Sequence, residues 1–186
     1  MARESYLALL RGINVGGNRI IPMTALAACF ERMRYSAVKT YIASGNVIFG
    51  APTSDPRRLE VTIEKALVKA FAYDAKVVVK STSEVDAIGA TIAKQWAKPS
   101  AAMRYYVLFL RHAVDDKRLL DQLEPRAGVE TLTYVPGALL WAAKRSEITK
   151  SRIAKQMLAK PIYQEITARN LNTATKLVQL LAAHEP

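Results

Sequence analysis

Apolar residues along this chain come in short unbroken runs, separated by segments in which they recur every three or four positions. That pattern predicts strands alternating with amphipathic helices. Tyr6–Leu10 reads as a strand, and Pro22 to Met33 as a helix with proline at its first position and Met23, Leu26, Phe30 and Met33 on one face. Val38–Ala43 and Asn46–Phe49 are strands joined by a tight turn at Ser44-Gly45, a hairpin. Asp55-Pro56 caps and opens a second helix, buried through Leu59, Ile63, Leu67 and Ala70. Lys76–Lys80, with three valines in a row, closes the series as a fourth strand. Ser83 is the expected N-cap of a following helix, with Asp86 as its capping-box partner and Val85, Ile88, Ile92 and Trp96 as its apolar stripe. Pro99 ends it.

The second half repeats this order. Tyr106–Arg111 stands one hundred residues after Tyr6–Arg11, and both runs end in arginine. A helix is expected over Asp115–Leu123, then a hairpin of Glu130–Val135 and Ala138–Ala143 around Pro136-Gly137, with Trp141 in the place of Phe49. A helix near Ser151–Leu158, a strand near Tyr163–Thr167 and a last helix over Thr173–His184 complete the chain. The fold class expected is therefore α+β, with tandem duplicated ferredoxin-like βαββαβ units. Residues 1–80 form the first unit, 81–100 a bridging helix, and 101–186 the second unit with the C-terminal helix.

Composition narrows the class. Half of the 186 residues are hydrophobic, which suits a globular core rather than disorder. No apolar run is long enough to span a bilayer and no signal segment precedes the first strand, so a cytoplasmic protein without membrane association is expected. The lone Cys29 fits a reducing compartment and reads as a small core hydrophobe. The net charge of +11 is uneven: residues 1–80 balance to +6, residues 81–143 to zero and residues 144–186 to +5. Concentrated positive potential attracts polyanions.

Catalytic and metal chemistry find little support. Two histidines, His112 and His184, and one cysteine are too few for a transition-metal site, and no metal or cofactor is expected. No spacing suggests a nucleophile with its base. The loop Gly12–Asn18 follows a strand and precedes a helix, yet matches neither the P-loop nor the dinucleotide fingerprint. It does place Arg11, Asn14 and Asn18 around glycines that let backbone N–H groups approach an anion. A second polar cluster, Tyr41–Asn46, lies at the hairpin tip. A third, Thr167–Thr173, precedes the last helix, where Asn170 or Asn172 is a routine N-cap and Arg169, Thr173 and Lys176 make an anion seat. A basic stretch runs from Lys144-Arg145 through Lys150, Arg152, Lys155 and Lys160, with Glu147 as its single acid. Ordinary turns, a routine N-cap and a solvated helix face are the commoner explanations of such clusters.

Taken together, Leu9–Gly17, Tyr41–Phe49 and Thr167–Thr173 resemble a widespread bacterial family catalogued as a domain of unknown function, with the three motifs in order across essentially the whole chain. The resemblance implies an α+β fold with a ferredoxin-like part and no established activity. Leu171 departs from it, standing where members often carry tryptophan. The function expected from the residues is binding of a phosphate-bearing ligand (nucleotide, phosphometabolite or nucleic acid) through Arg11, Gly12, Asn14, Gly16, Gly17, Ser44, Asn46, Arg169, Asn170 and Thr173. For nucleic acid, the contacts expected are Lys144, Arg145, Lys150, Arg152 and Lys155. Two alternatives stand beside it: an enzyme using Arg11 and Arg169 as charge clamps, and a protein-interaction module without a ligand.

Overall fold

The protein is described from a computed structural model covering residues 3–14, 20–74, 76–159 and 161–186, with residues 157–159 as backbone alone. It divides into two compact units, Met1–Val85 with Leu177–Pro186, and Asp86–Lys176. Both crossings between the units fall inside helices, and the last ten residues group with the first unit.

The first unit contains β1 (Arg3–Leu10), α1 (Met23–Arg32), β2 (Ser36–Tyr41), β3 (Asn46–Pro52), α2 (Pro56–Phe71), β4 (Val77–Ser81) and the start of α3 (Thr82–Gln95). Its sheet is fully antiparallel in the order β2-β3-β1-β4. Alternate residues of β1 and β3 (Tyr6, Ala8 and Leu10; Val47, Phe49 and Ala51) meet the apolar stripes of α1 and α2 in one core. At its centre Phe30, Tyr35 and Tyr6 surround Phe49, with ring centroids 5.2, 4.6 and 5.8 Å away. Asp55 caps α2, its carboxylate accepting the Arg57 N–H. From the same helix Glu60 and Glu64 reach the outer side of β4 and accept the N–H groups of Val79 and Val77 at 3.2 and 3.0 Å.

The other face of β1 is buried too, and the C-terminal tail contributes to it. The buried His184 ring lies with Nε2 2.7 Å from the Ala37 carbonyl and Nδ1 2.7 Å from the Ser5 hydroxyl. A carbonyl only accepts, so Nε2 carries a hydrogen toward Ala37, and the Ser5 hydroxyl lies within reach of the His184 carbonyl as well, at 3.2 Å. Replacing His184 with alanine removes both ring contacts while Ser5 Oγ keeps the backbone carbonyl of residue 184, and urea unfolding should show a loss of about 0.5–1.5 kcal/mol. An unchanged midpoint would mean the tail contributes nothing to the unit.

The second unit repeats the path with the end of α3, β5 (Met103–Leu110), α4 (Leu119–Gln122), β6 (Glu130–Val135), β7 (Ala138–Lys144), α5 (Arg152–Ala159), β8 (Ile166–Asn170) and the start of α6 (Leu171–Ala182). Its sheet order, β6-β7-β5-β8, is the same. Correspondence extends to single bonds. The Leu10 and Leu110 N–H groups donate to Gly45 and Gly137 carbonyls, and those of Arg11 and Arg111 donate to Lys76 and Glu165 carbonyls. Tyr6 stands opposite Phe49 and Tyr106 opposite Trp141, each pair stacked at 5.8 and 5.3 Å. The chain is a duplicated ferredoxin-like α+β protein.

Three local expectations need correcting. The box at the start of α3 is Ser81 with Glu84, not Ser83 with Asp86: Ser81 N–H and Oγ donate to the Glu84 carboxylate, and the Glu84 N–H returns to Ser81 Oγ. The helix expected over Asp115–Leu123 shrinks to four residues because the Asp115 carboxylate accepts from the Tyr134 hydroxyl and the Gly137 N–H at the facing hairpin turn. The strand expected at Tyr163–Thr167 is Ile166–Asn170, preceded by a 3-10 segment over Pro161–Glu165.

Candidate functional site

The first two polar clusters meet in the first unit. Asn14, at φ 55°, donates from Nδ2 to the Ile21 and Ala43 carbonyls at 3.0 and 2.9 Å and accepts the Ile21 N–H at 2.7 Å. One side chain thus ties the loop after β1 to the β2–β3 turn. Asn46 is fully buried and donates to the Tyr41 carbonyl and to Ser44 Oγ, bracing that turn from inside. The Arg11 carbonyl accepts from the Tyr73 hydroxyl at 2.6 Å, beside Gly12 at φ +70°. These donors and acceptors build the loops they sit in. Gly16 and Gly17 lie outside the described residues.

The third cluster belongs to the second unit. Thr167, Arg169 and Asn170 are strand residues of β8, and Thr173 lies in the first turn of α6. Asn170 is the helix N-cap, its Oδ1 accepting the Thr173 N–H at 2.9 Å. Arg169 is buried, donating to Thr167 Oγ1 at 3.1 Å and to the Ala168 carbonyl at 2.9 Å, and burial pushes its guanidinium down to about 10. Its counterpart in the first unit is Lys80: Arg169 stands opposite Val107 as Lys80 stands opposite Leu7. Lys80 is also fully buried and pairs with Glu84 at 3.3 Å. Both repeats therefore bury a cation at one position of their fourth strand.

A cavity of about 490 Å³ opens in the second unit. Its wall carries Arg104, Tyr105 and Tyr106 of β5, Ser100 from the segment before it, Arg145 following β7, and Asn170, Leu171 and Asn172 where β8 turns into α6. Tyr105 is fixed from two sides, accepting the Ser100 N–H at 2.9 Å and packing its ring 5.0 Å from Trp96. Arg145 is held near the rim by its Nε, which donates to the Ala101 carbonyl at 3.3 Å. The lining includes two guanidinium groups and no carboxylate, and it takes in the first turn of a helix, where free N–H groups and the helix dipole favour negative charge. Of the residues chosen from sequence, Asn170 and Arg145 line it; Arg104, Tyr105, Tyr106 and Asn172 were missed. Arg11, Gly12, Asn14, Ser44 and Asn46 are not part of its wall.

The rest of the basic stretch is partly neutralised. Lys144 and Lys150 flank Glu147 at 3.8 and 3.2 Å, and Arg152 lies 3.8 Å from Glu124. Their exposure makes such pairs weak. Lys155 is exposed on α5. Among the described residues no three His, Cys, Asp or Glu side chains gather into a metal-binding group, and no helix is long and apolar enough to cross a membrane.

The buried carboxylate in this unit has another role. Glu130, on β6, accepts hydrogen bonds from Trp141 Nε1, Ser151 Oγ and the N–H groups of Arg126, Arg152 and Ile153. It closes the hairpin onto the first turn of α5. Desolvation alone would raise its pKa, but the bonds from Ser151, Arg126, Ile153 and Trp141 together hold it below the usual carboxylate value.

The family model described as "Protein of unknown function (DUF1697)" matches residues 3–141, and the chain belongs to that family. Among solved structures, the conserved bacterial protein SP0830 from Streptococcus pneumoniae superposes with a TM-score of 0.82 at 26% identity. The match covers 97% of this chain and 99% of that one. No curated protein matches the chain.

Proposed function

We propose that in this member of the DUF1697 family the cavity of the second unit binds a small phosphate-bearing molecule, a nucleotide or phosphometabolite. Arg104 and Arg145 are its charge partners, and Asn170, Asn172 and the first turn of α6 are its neutral donors. The observation that carries this reading is the pairing of two arginines with a wall free of carboxylates. Guanidinium groups bind phosphate through paired, charge-assisted hydrogen bonds. The volume lies within the usual range for small-molecule sites, and the rings of Tyr105 and Tyr106 with Met103 and Leu171 supply apolar wall for the organic part.

A thermal-shift screen of nucleotides, sugar phosphates and inorganic phosphate tests it, since a ligand that binds only the native state raises the melting point by mass action. At a hundredfold excess over Kd the stabilisation is about 2.7 kcal/mol. The expected result is a shift with a phosphate compound that disappears in Arg104→Ala and Arg145→Ala and persists in Arg11→Ala. A shift lost in Arg11→Ala alone would move the site to the loop after β1. The absence of any shift would end the proposal.

A further inference from the structure

The outer face of α2 presents a charge pattern that neither the cavity nor the core explains. Arg57, Arg58, Val61, Thr62, Lys65, Val68 and Lys69 are all exposed. At 100° per residue they fall within one arc about 140° wide, opposite the buried Leu59, Ile63 and Leu67. None of the four cations pairs with a carboxylate among the described residues.

The reason lies on the neighbouring strand. The helix has two acids, Glu60 and Glu64, and both are turned to the β4 amides of Val79 and Val77. Glu60 is 3% exposed. An ordinary surface helix intersperses its acids with its bases and gains from i, i+4 pairs. Here the acids are withdrawn into the fold and four cations stand together facing solvent.

We infer that this face of α2 binds the phosphate backbone of a nucleic acid. Positive side chains along one face neutralise successive phosphates and release counterions, without reading bases. From Arg58 to Lys65 and on to Lys69 the cations advance along the helix by about 10 and 6 Å at the 1.5 Å rise of an α-helix. An anionic membrane is the poorer fit. A helix lying in the lipid interface needs a broad apolar face, and the apolar stripe of α2 is already in the core, leaving Val61 and Val68 as its only large apolar residues outside. This site is in the first unit and independent of the cavity lined by Arg104 and Arg145.

The test is fluorescence anisotropy with the full chain and a labelled DNA duplex or single-stranded RNA, between 50 and 200 mM salt. Wild-type binding should weaken steeply as salt rises. The double variant Lys65→Gln/Lys69→Gln should bind about tenfold more weakly at low salt and show a log–log salt slope shallower by about 1.4–1.8, two phosphate contacts' worth. Arg104→Ala should bind as wild type does, which separates this surface from the cavity. Circular dichroism of the double variant should be unchanged, because both side chains are exposed. Each of three results overturns the inference: no binding at 50 mM salt, binding indifferent to the α2 substitutions, or binding to phosphatidylserine vesicles without binding to nucleic acid.

Discussion

Replacing Glu130 with alanine should lower the stability of the chain by about 3–5 kcal/mol, the cost of dismantling a buried, fully hydrogen-bonded charge. Five donors converge on that carboxylate from four places: the Arg126 amide before β6, the Trp141 indole on β7, the Ser151 hydroxyl, and the first two amides of α5. Removing the acceptor leaves buried donors facing one another and takes the negative charge from a helix N-terminus. Urea unfolding followed by tryptophan fluorescence is the natural readout, because Trp141 is itself one of the donors. A loss below about 1 kcal/mol, the value of a single ordinary hydrogen bond, would show that the network is not cooperative. The same group sets a pH dependence. Its pKa in the folded chain lies below the ordinary 4.5, so its contribution is complete above that value and fades as pH falls through the lower, folded one. Wild type should lose stability in that acid range, and Glu130→Ala should lose less.

Gly45→Ala should be nearly as damaging, at about 2–5 kcal/mol, for reasons of space and backbone together. Gly45 holds φ at +74°, and a Cβ there would stand 2.3 Å from Ile13 Cγ2 and 2.8 Å from Leu10 Cβ. Leu10 cannot retreat: it is a fully buried residue of β1, and its N–H is bonded to the Gly45 carbonyl at 2.8 Å. Gly128 supplies the control. It has the same backbone, φ +73°, with nothing within 4 Å of its Cβ position. Gly128→Ala should therefore carry only the left-handed penalty, about 1–2 kcal/mol. Comparable losses at the two positions would refute the steric argument.

Much of this fold could be read from sequence because its strongest signals are local. The run Tyr6–Leu10, the Asp55-Pro56 helix start and the two hairpins with glycine at their turns each announce an element within a few residues. The pairing of Tyr6 with Phe49 and of Tyr106 with Trp141 turned a faint repeat into a structural one. What escaped was decided at a distance. The strand expected near Tyr163–Thr167 runs over Ile166–Asn170 instead, its place set by pairing with β5, and it buries Arg169 there. Asn14 and Asn46 read as ligand donors; in the fold Asn14 also donates to the Ala43 carbonyl, 29 residues away, and Asn46 to the Tyr41 carbonyl. The cavity gathers residues near positions 100–106, 145 and 170–172, and no spacing rule brings those three together.

The treatment of the first sheet's borders bears on how the protein behaves when crowded. A border strand offers unpaired amides and carbonyls that can template the addition of another chain, the first step of strand-swapped and fibrillar assembly. On one border, β4 has its outward amides at Val77 and Val79 occupied by Glu64 and Glu60. On the other, the register of β2 shifts between Ser36 and Lys39, with Ala37 at φ 48° and its carbonyl taken by His184. Carboxylates guard one flank, and an irregular backbone with a tethered tail guards the other. Each border thereby offers another chain fewer free backbone groups to pair with than a plain edge strand would.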